Sequence, residues 1–233
     1  MNLQNSTILI TGGTLGIGYA TAKILIAAGA KVAITGRNEA RTKKAAEELG
    51  AFAITADVGN EADVTRTYEL FMQQFGRLDC LINNAGIGKF GLLDEISLQD
   101  FEEVYRTNVY GAALMAQYAA KIFKEQNYGN IINIASTAGS KGFAGGTVYA
   151  SSKFALRGMT QCWQAELRKH NVRVMLINPS EVTTAFAVES REERPEVDNK
   201  LRGEEIGHAI KTALEMDDRG FIPELTVWAT NPF

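Results

Sequence analysis

A doubly wound α/β fold is what this chain predicts: one domain of 233 residues, with about seven strands in a mainly parallel sheet and helices on both faces. Three observations lead there. Short β-branched runs alternate with longer helical patterns from end to end. A glycine-dense turn sits where the first such run meets the first helical pattern. A composition of 45% hydrophobic and 22% charged residues belongs to a chain able to bury a large core. Strands joined through helices form parallel sheets covered on both sides, because each right-handed crossover lays its helix against the sheet.

The first strand is read over 7–11 and the first helix over 16–28; 31–35 is the second strand. Asn38 opens a helix over 38–49 as its N-cap, its amide oxygen suited to a free N–H of the first turn, and Gly50 stops it. A third strand covers 51–56. In the helix over 63–75, Val64, Tyr68, Phe71, Met72 and Phe75 recur at helical spacing and bury one face, while Glu69, Gln73 and Gln74 stay wet. Gly76 closes it. The fourth strand covers 78–83, Ser97 opens a long helical region reaching about 125, and 130–136 is the fifth strand. A helix follows around 149–169. Residues 173–178 form the sixth strand, ending at Pro179, followed by a helix over 204–216 and an extended segment over 221–228.

A formal charge of −3 gives no broad electropositive field of the kind that phosphate backbones or anionic membranes require, so neither nucleic acid nor membrane is an expected partner. No apolar run approaches membrane-spanning length, and the polar start of the chain lacks a basic and then apolar signal pattern; a cytoplasmic location is expected. Cys80 and Cys162 are expected to be reduced. His170 and His208 have no ligand-like companions, so no metal is expected.

Thr11-Gly12-Gly13-Thr14-Leu15-Gly16-Ile17-Gly18 occupies the strand-to-helix junction. A turn there needs positive φ or close backbone approach, and missing Cβ atoms let amide groups and a helix N-terminus meet a pyrophosphate. Thr11, Gly12, Thr14, Gly16, Ile17 and Gly18 are therefore expected at a dinucleotide in a Rossmann-type fold. The G-x-x-x-G-x-G spacing differs from the ordinary G-x-G-x-x-G. Together with Asn83-Asn84-Ala85-Gly86, Asn108, Ser136, Tyr149-Ala150-Ser151-Ser152-Lys153 and Asn178-Pro179, in order along nearly the whole chain, it resembles the short-chain dehydrogenase/reductase family. At the end of the second strand, where an NAD site usually offers a carboxylate, the chain reads Thr35-Gly36-Arg37-Asn38. Arg37 can pair with a 2′-phosphate through a planar, charge-assisted fork, so NADP(H) is expected over NAD(H). No second basic residue stands in the glycine turn. The resemblance implies that Asp57 and Val58 hold the adenine edge, that the segment from Asn83 through Ala85 to Gly86 lines the cofactor, and that Pro179 lies on its nicotinamide side. Asp57 also suits a plain strand-end turn.

Tyr149 and Lys153 are four apart and share one helix face. A phenol with a pKa near 10 is a poor base at neutral pH, and positive charge from Lys153 and an oxidised nicotinamide is expected to depress it. Tyr149 then exchanges a proton with the substrate oxygen while hydride moves between nicotinamide and carbonyl carbon. Ser136, at a strand end, can donate to that oxygen and orient it. The resemblance adds a Lys153 contact to the nicotinamide ribose and a water held by Asn108 that links the lysine to solvent. A Y-x-x-x-K pair alone is common on helices; Ser136, Asn108 and the glycine turn give this one meaning.

An oxidoreductase acting on a small-molecule ketone, aldehyde or alcohol is expected, with a 3-oxoacyl thioester as the most economical substrate and sepiapterin-like, sugar, steroid and hydroxy-acid compounds open. The alternative is a dinucleotide-sensing regulator without turnover. Residues 183–203, rich in both charges and beyond a strand's carboxyl end, read as a substrate lid rather than a solvated linker. Relative to the family, Ser180 replaces a frequent glycine and the tail lacks the usual Asp-Gly-Gly ending. A homodimer or homotetramer is expected.

Overall fold

The computed structural model describes residues 1–186, 195 and 197–231. In chain order they form β1 (Thr7–Ile10), α1 (Gly16–Ala27), β2 (Lys31–Gly36), α2 (Glu39–Leu49), β3 (Phe52–Thr55), α3 (Glu61–Phe75) and β4 (Cys80–Asn83). Then come α4 (Leu98–Tyr105), a π-helical turn (Arg106–Gly111), α5 (Ala112–Gln126), β5 (Gly129–Ile134), α6 (Thr147–Leu167), β6 (Val172–Pro179), α7 (Gly203–Glu215) and β7 (Glu224–Val227). The seven strands lie in the order β3-β2-β1-β4-β5-β6-β7, and every pairing is parallel. Among the described residues no helix is long and apolar enough to cross a membrane.

Alternation along the strands builds two cores. Ile8 and Ile10 of β1 join Val32, Ile34, Ile82 and Ile132 in a layer packed against Leu25 of α1 and Ile206 and Ile210 of α7. Leu9, between them, faces the other way with Ala33, Leu81 and Ile131, toward Tyr68 and Phe71 of α3 and Met115 and Phe123 of α5. Both strand faces are apolar because helices cover both sides.

Local signals set several helix ends. Asn38 accepts from the Arg41 N–H at 2.9 Å, and Gly50 and Gly76 take left-handed φ of 70° and 74° at the ends of α2 and α3. Ser97 and Asp100 form a reciprocal capping box at the start of α4. The long helical region that starts there is not one regular helix: the π-helical turn at Arg106–Gly111 divides it. A π-bulge shifts the hydrogen-bond pattern without altering the hydrophobic spacing enough to be read from sequence.

Because β1 pairs with β2 on one side and β4 on the other, the chain's direction of winding reverses there, and a crevice opens at the carboxyl ends of β1 and β4. Much of the charged stretch over 183–203 lies outside the described residues, including Glu189, Arg191, Glu192, Glu193, Arg194 and Glu196. Its two stems meet: Val182 bridges Leu201, and the Thr183 N–H and hydroxyl both donate to the Leu201 carbonyl, at 2.8 and 3.0 Å.

At the opposite, amino-terminal end of the strands, Arg173 of β6 is buried with its charge distributed over several acceptors. It donates to Asn130 Oδ1 at 2.7 Å and to the carbonyls of Leu214 and Met216 at 3.0 Å each, closing the end of α7. Replacing Arg173 with methionine removes these donors, strips the buried Asn130 Oδ1 of its partner and leaves the Leu214 and Met216 carbonyls to the N-terminal ammonium of Met1 alone. Arg173→Met should lower unfolding stability by about 2–3 kcal/mol in urea titration, with little change in the far-ultraviolet spectrum; an unchanged midpoint would show that water replaces the guanidinium without cost.

Candidate active site

The crevice widens into a cavity of about 1100 Å³ running from the glycine turn past the ends of β2 and β4 to α6. At the turn, Gly12 and Gly16 hold φ of 65° and 54°, and a Cβ on Gly12 would stand 2.9 Å from the Ala85 Cα. Only glycine combines that φ with that approach. Gly18 is buried behind the turn, where a Cβ would stand 2.4 Å from the Gly12 carbonyl oxygen. Leu15 occupies the N-cap position of α1 and provides no side-chain acceptor for the helix N–H groups.

The structure divides the residues singled out from sequence into those that face the cavity and those that hold it open. Gly12, Thr14, Gly16, Ile17, Arg37, Asp57, Val58, Ala85, Gly86, Ser136, Tyr149, Lys153 and Pro179 all line it. Thr11 does not: its buried hydroxyl accepts from the N–H groups of Asn84 and Ala85, both at 3.0 Å. Asn84, which sequence reasoning named only as part of a motif, donates to the Thr11 and Gly12 carbonyls at 3.0 and 2.9 Å. Asn83 points into the sheet, donating to Asn133 Oδ1 at 3.0 Å. Strand alternation explains why neighbours in one motif face opposite ways.

Past the end of β2, Arg37 is joined by Arg41 from the first turn of α2. The second basic residue sought in the glycine turn thus comes from the next helix, and the four-residue spacing from Arg37 was its only sequence signal. Asp57 both lines the cavity and shapes a turn, its Oδ1 accepting from the Gly59 N–H at 2.9 Å.

On α6, Lys153 is only 4% exposed; its Nζ donates to the Ile134 carbonyl at 2.9 Å and lies 5.8 Å from the centre of the Tyr149 ring. Gly86 lines the cavity beside it, where a Cβ would stand in ordinary contact, 3.6 Å from that Nζ. Burial pushes the Lys153 ammonium down to about 8 and the Tyr149 phenol up to about 12, with a hydrogen bond to Ser136 pulling the phenol partly back. The depressed phenol expected from sequence is therefore not what these side chains produce by themselves: desolvation outweighs the hydrogen bond from Ser136. Ser136 Oγ also accepts from the Ala138 N–H at 3.1 Å, which fixes its loop.

Asn108 sits inside the π-helical turn and is 1% exposed. It clamps the Ile87 peptide from both sides, accepting from its N–H and donating to its carbonyl at 2.9 Å each, and donates to Ser152 Oγ at 3.0 Å. Ser152 Oγ in turn donates to the Tyr149 carbonyl at 2.7 Å. The amide side chain is thereby committed to tying the loop after β4 to α6 and does not line the cavity. Four aromatic residues that no motif contained, Phe90, Phe143, Phe186 and Trp228, line the cavity together with Tyr149.

The short chain dehydrogenase family profile matches residues 6–195. The chain is 34% identical over 212 residues to a 3-oxoacyl-[acyl-carrier-protein] reductase of Homo sapiens, covering 88% of this chain and 90% of that one. It is 36% identical over 192 residues to the uncharacterized oxidoreductase YxnA of Bacillus subtilis, covering 79% of this chain but spanning only 54% of that protein's length. Among solved structures, an alcohol dehydrogenase from the archaeon Thermococcus sibiricus complexed with 5-hydroxy-NADP superposes with a TM-score of 0.90 at 27% identity, covering 97% of both chains. A 3-ketoacyl-(acyl-carrier-protein) reductase from Brucella melitensis complexed with NADH gives 0.89 at 28% identity, covering 99% of this chain and 100% of that one. With a parallel sheet wound around this crevice and relatives matched along nearly its whole length, the chain belongs to the short-chain dehydrogenase/reductase family of oxidoreductases.

Proposed function

We propose that this protein interconverts a ketone or aldehyde and an alcohol using NADP(H). The observation that carries the reading is the convergence of Tyr149, Lys153 and Ser136 at one end of a cavity whose other end holds the glycine turn and two arginines. The dinucleotide complexes of the archaeal and Brucella relatives support a nicotinamide cofactor, and the residues present fit one. Gly12 and Gly16 let backbone amides approach a pyrophosphate, and Arg37 with Arg41 offers guanidinium groups to a 2′-phosphate. Asp57 and Val58 lie between, where an adenine edge fits. Pro179 bounds the nicotinamide side.

Bound there, the nicotinamide supplies or accepts hydride and, when oxidised, brings positive charge near the phenol. Tyr149 donates a proton to the carbonyl oxygen in reduction and withdraws it from the alcohol in oxidation. Ser136 donates a hydrogen bond that aims that oxygen at the phenol. Lys153 holds a ribose hydroxyl and opposes the rise in phenol pKa that burial imposes. Asn108 keeps the loop after β4 and α6 in register and, through its π-helical turn, supports a water connecting Lys153 to solvent. The human and Brucella relatives are reductases of 3-oxoacyl and 3-ketoacyl groups on acyl-carrier protein, which keeps a 3-oxoacyl thioester among the candidate substrates. The stems joined at Val182 and Leu201 support residues 183–203 as a lid, and exposed Leu98, Tyr110 and Phe154 support assembly as a homodimer or homotetramer.

Tyr149→Phe should lower kcat by about 10²–10⁴-fold while NADPH still binds, as read by steady-state kinetics and cofactor fluorescence. Wild-type turnover in that variant rejects the mechanism. Arg37→Asp should reduce the ratio of kcat/KM for NADPH over NADH by about tenfold or more, and an unaltered ratio removes Arg37 from the phosphate site. Alcohol oxidation needs the phenolate, so its kcat/KM should climb with pH. Lys153→Met, lacking the positive charge, should move that climb to higher pH by about one unit. A limb that stays in place separates the lysine from the phenol.

A further inference from the structure

Above the phenol the cavity is walled by aromatic carbon contributed by separate connections. The Phe90 ring, from the loop after β4, and the Phe186 ring, from the segment after β6, each lie 5.4 Å from the Tyr149 ring, tilted by 57° and 60°. Phe143, from the loop before α6, stands 6.2 Å from Phe90. Trp228, just past β7, lines the same cavity.

Neither core layer includes these rings. Phe90 and Phe143 each remain 50% exposed, although burying a phenylalanine side chain fully is worth about 1.5–3 kcal/mol. Unburied aromatic surface beside a reacting group is a binding surface rather than a packing accident. The backbone makes allowance for it. A Cβ on Gly88 would stand 2.8 Å from the Phe90 ring and 2.9 Å from the Phe186 ring, and one on Gly146 would stand 2.6 Å from the Phe143 ring. Among the described residues, the guanidinium groups that line the cavity, Arg37 and Arg41, belong to the end of β2 and the start of α2, and the cation two residues before Phe143, Lys141, is an exposed ammonium, so the phenol end lacks a bidentate fork for a substrate carboxylate.

We propose that the collar of Phe90, Phe143 and Phe186 is a subsite for a flat, uncharged apolar group carried directly on the carbonyl carbon, making aryl or conjugated ketones and aldehydes the substrate class. This rests on the carbonyl-reductase reading above. In the reduction, the carbonyl carbon gains a hydride from NADPH, the C=O π pair becomes the oxygen lone pair that takes the Tyr149 proton, and solvent reprotonates the phenolate. An aryl alcohol and NADP⁺ leave. Offset or tilted rings select flat groups over polyols, because a hydroxyl buried against carbon loses its water without gaining a partner.

The test compares acetophenone, hydroxyacetone and acetoacetyl-coenzyme A as substrates of the full chain with NADPH, in the wild type and in Phe90→Leu and Phe186→Leu. Leucine keeps the wall apolar and removes only the ring. Acetophenone should exceed hydroxyacetone in kcat/KM by about tenfold or more, and each variant should lose about three- to tenfold on acetophenone, mostly through KM, with hydroxyacetone within about twofold. Equal losses on all three substrates, no loss, or a wild-type preference for hydroxyacetone or acetoacetyl-coenzyme A overturns the subsite. A parallel titration follows benzamide, a flat carbonyl compound that is not reduced, by the fluorescence of NADPH on the protein. If benzamide binds and weakens about threefold or more in the variants while no carbonyl turns over, the collar stands and the reductase reading falls. If benzamide does not bind, or binds the variants as it binds the wild type, the collar falls whatever the turnover.

Discussion

Two backbones must touch at the centre of this molecule, and the rest of the site follows from that contact. The turn leaving β1 and the end of β4 approach so closely that Gly12 has room for no Cβ, and Thr11 and Asn84 lace the two together with side chain to main chain hydrogen bonds on both sides. Parallel neighbours wound in opposite directions leave a crevice at this point. Were the two segments farther apart, side chains would fill the gap and the amides of the turn would face carbon. Instead the crevice stays open, with Gly86 lining it and Lys153 reaching in from α6.

Burial then governs the electrostatics of α6. Desolvation disfavours charge on the lysine and on the phenol alike, moving their pKa values apart, down for the ammonium and up for the phenol. The pair is consequently sensitive to any further charge brought into the cavity, since little dielectric screening separates them from it. Ser136 adds a smaller, directional bias. The geometry beneath is stiff: Asn108 grips one peptide of the loop after β4 and, through Ser152, the first turns of α6. A shift of either element would break several buried hydrogen bonds at once.

Around this rigid floor the walls come from connections rather than from strands and helices. The aromatic collar draws on segments after β4, before α6 and after β6, and Trp228 adds to the wall from just past β7. Chemistry is thus assigned to the scaffold and selectivity to the loops, a division that lets one sheet serve many substrates.

Strand alternation, the caps at Asn38, Gly50 and Gly76, the glycine turn and the Tyr149–Lys153 spacing could all be read from the sequence, because each is a pattern within a few residues governed by φ preference, helical period or strand period. Element boundaries moved by one to three residues where fraying and pairing partners decided them, most at the start of β7. Other features required the fold. The π-helical turn is a hydrogen-bond shift inside an unbroken hydrophobic pattern; the inward turn of Asn83 and Thr11 depends on which strand face meets a neighbour; the upward push on the Tyr149 phenol is a property of its burial. Arg41 and the collar of Phe90, Phe143 and Phe186 become part of the site only when distant segments meet. Local sequence determines local conformation, whereas proximity across the sheet and exclusion of water arise from packing the whole chain, and those two decide which side chains share a cavity and what charge they carry there.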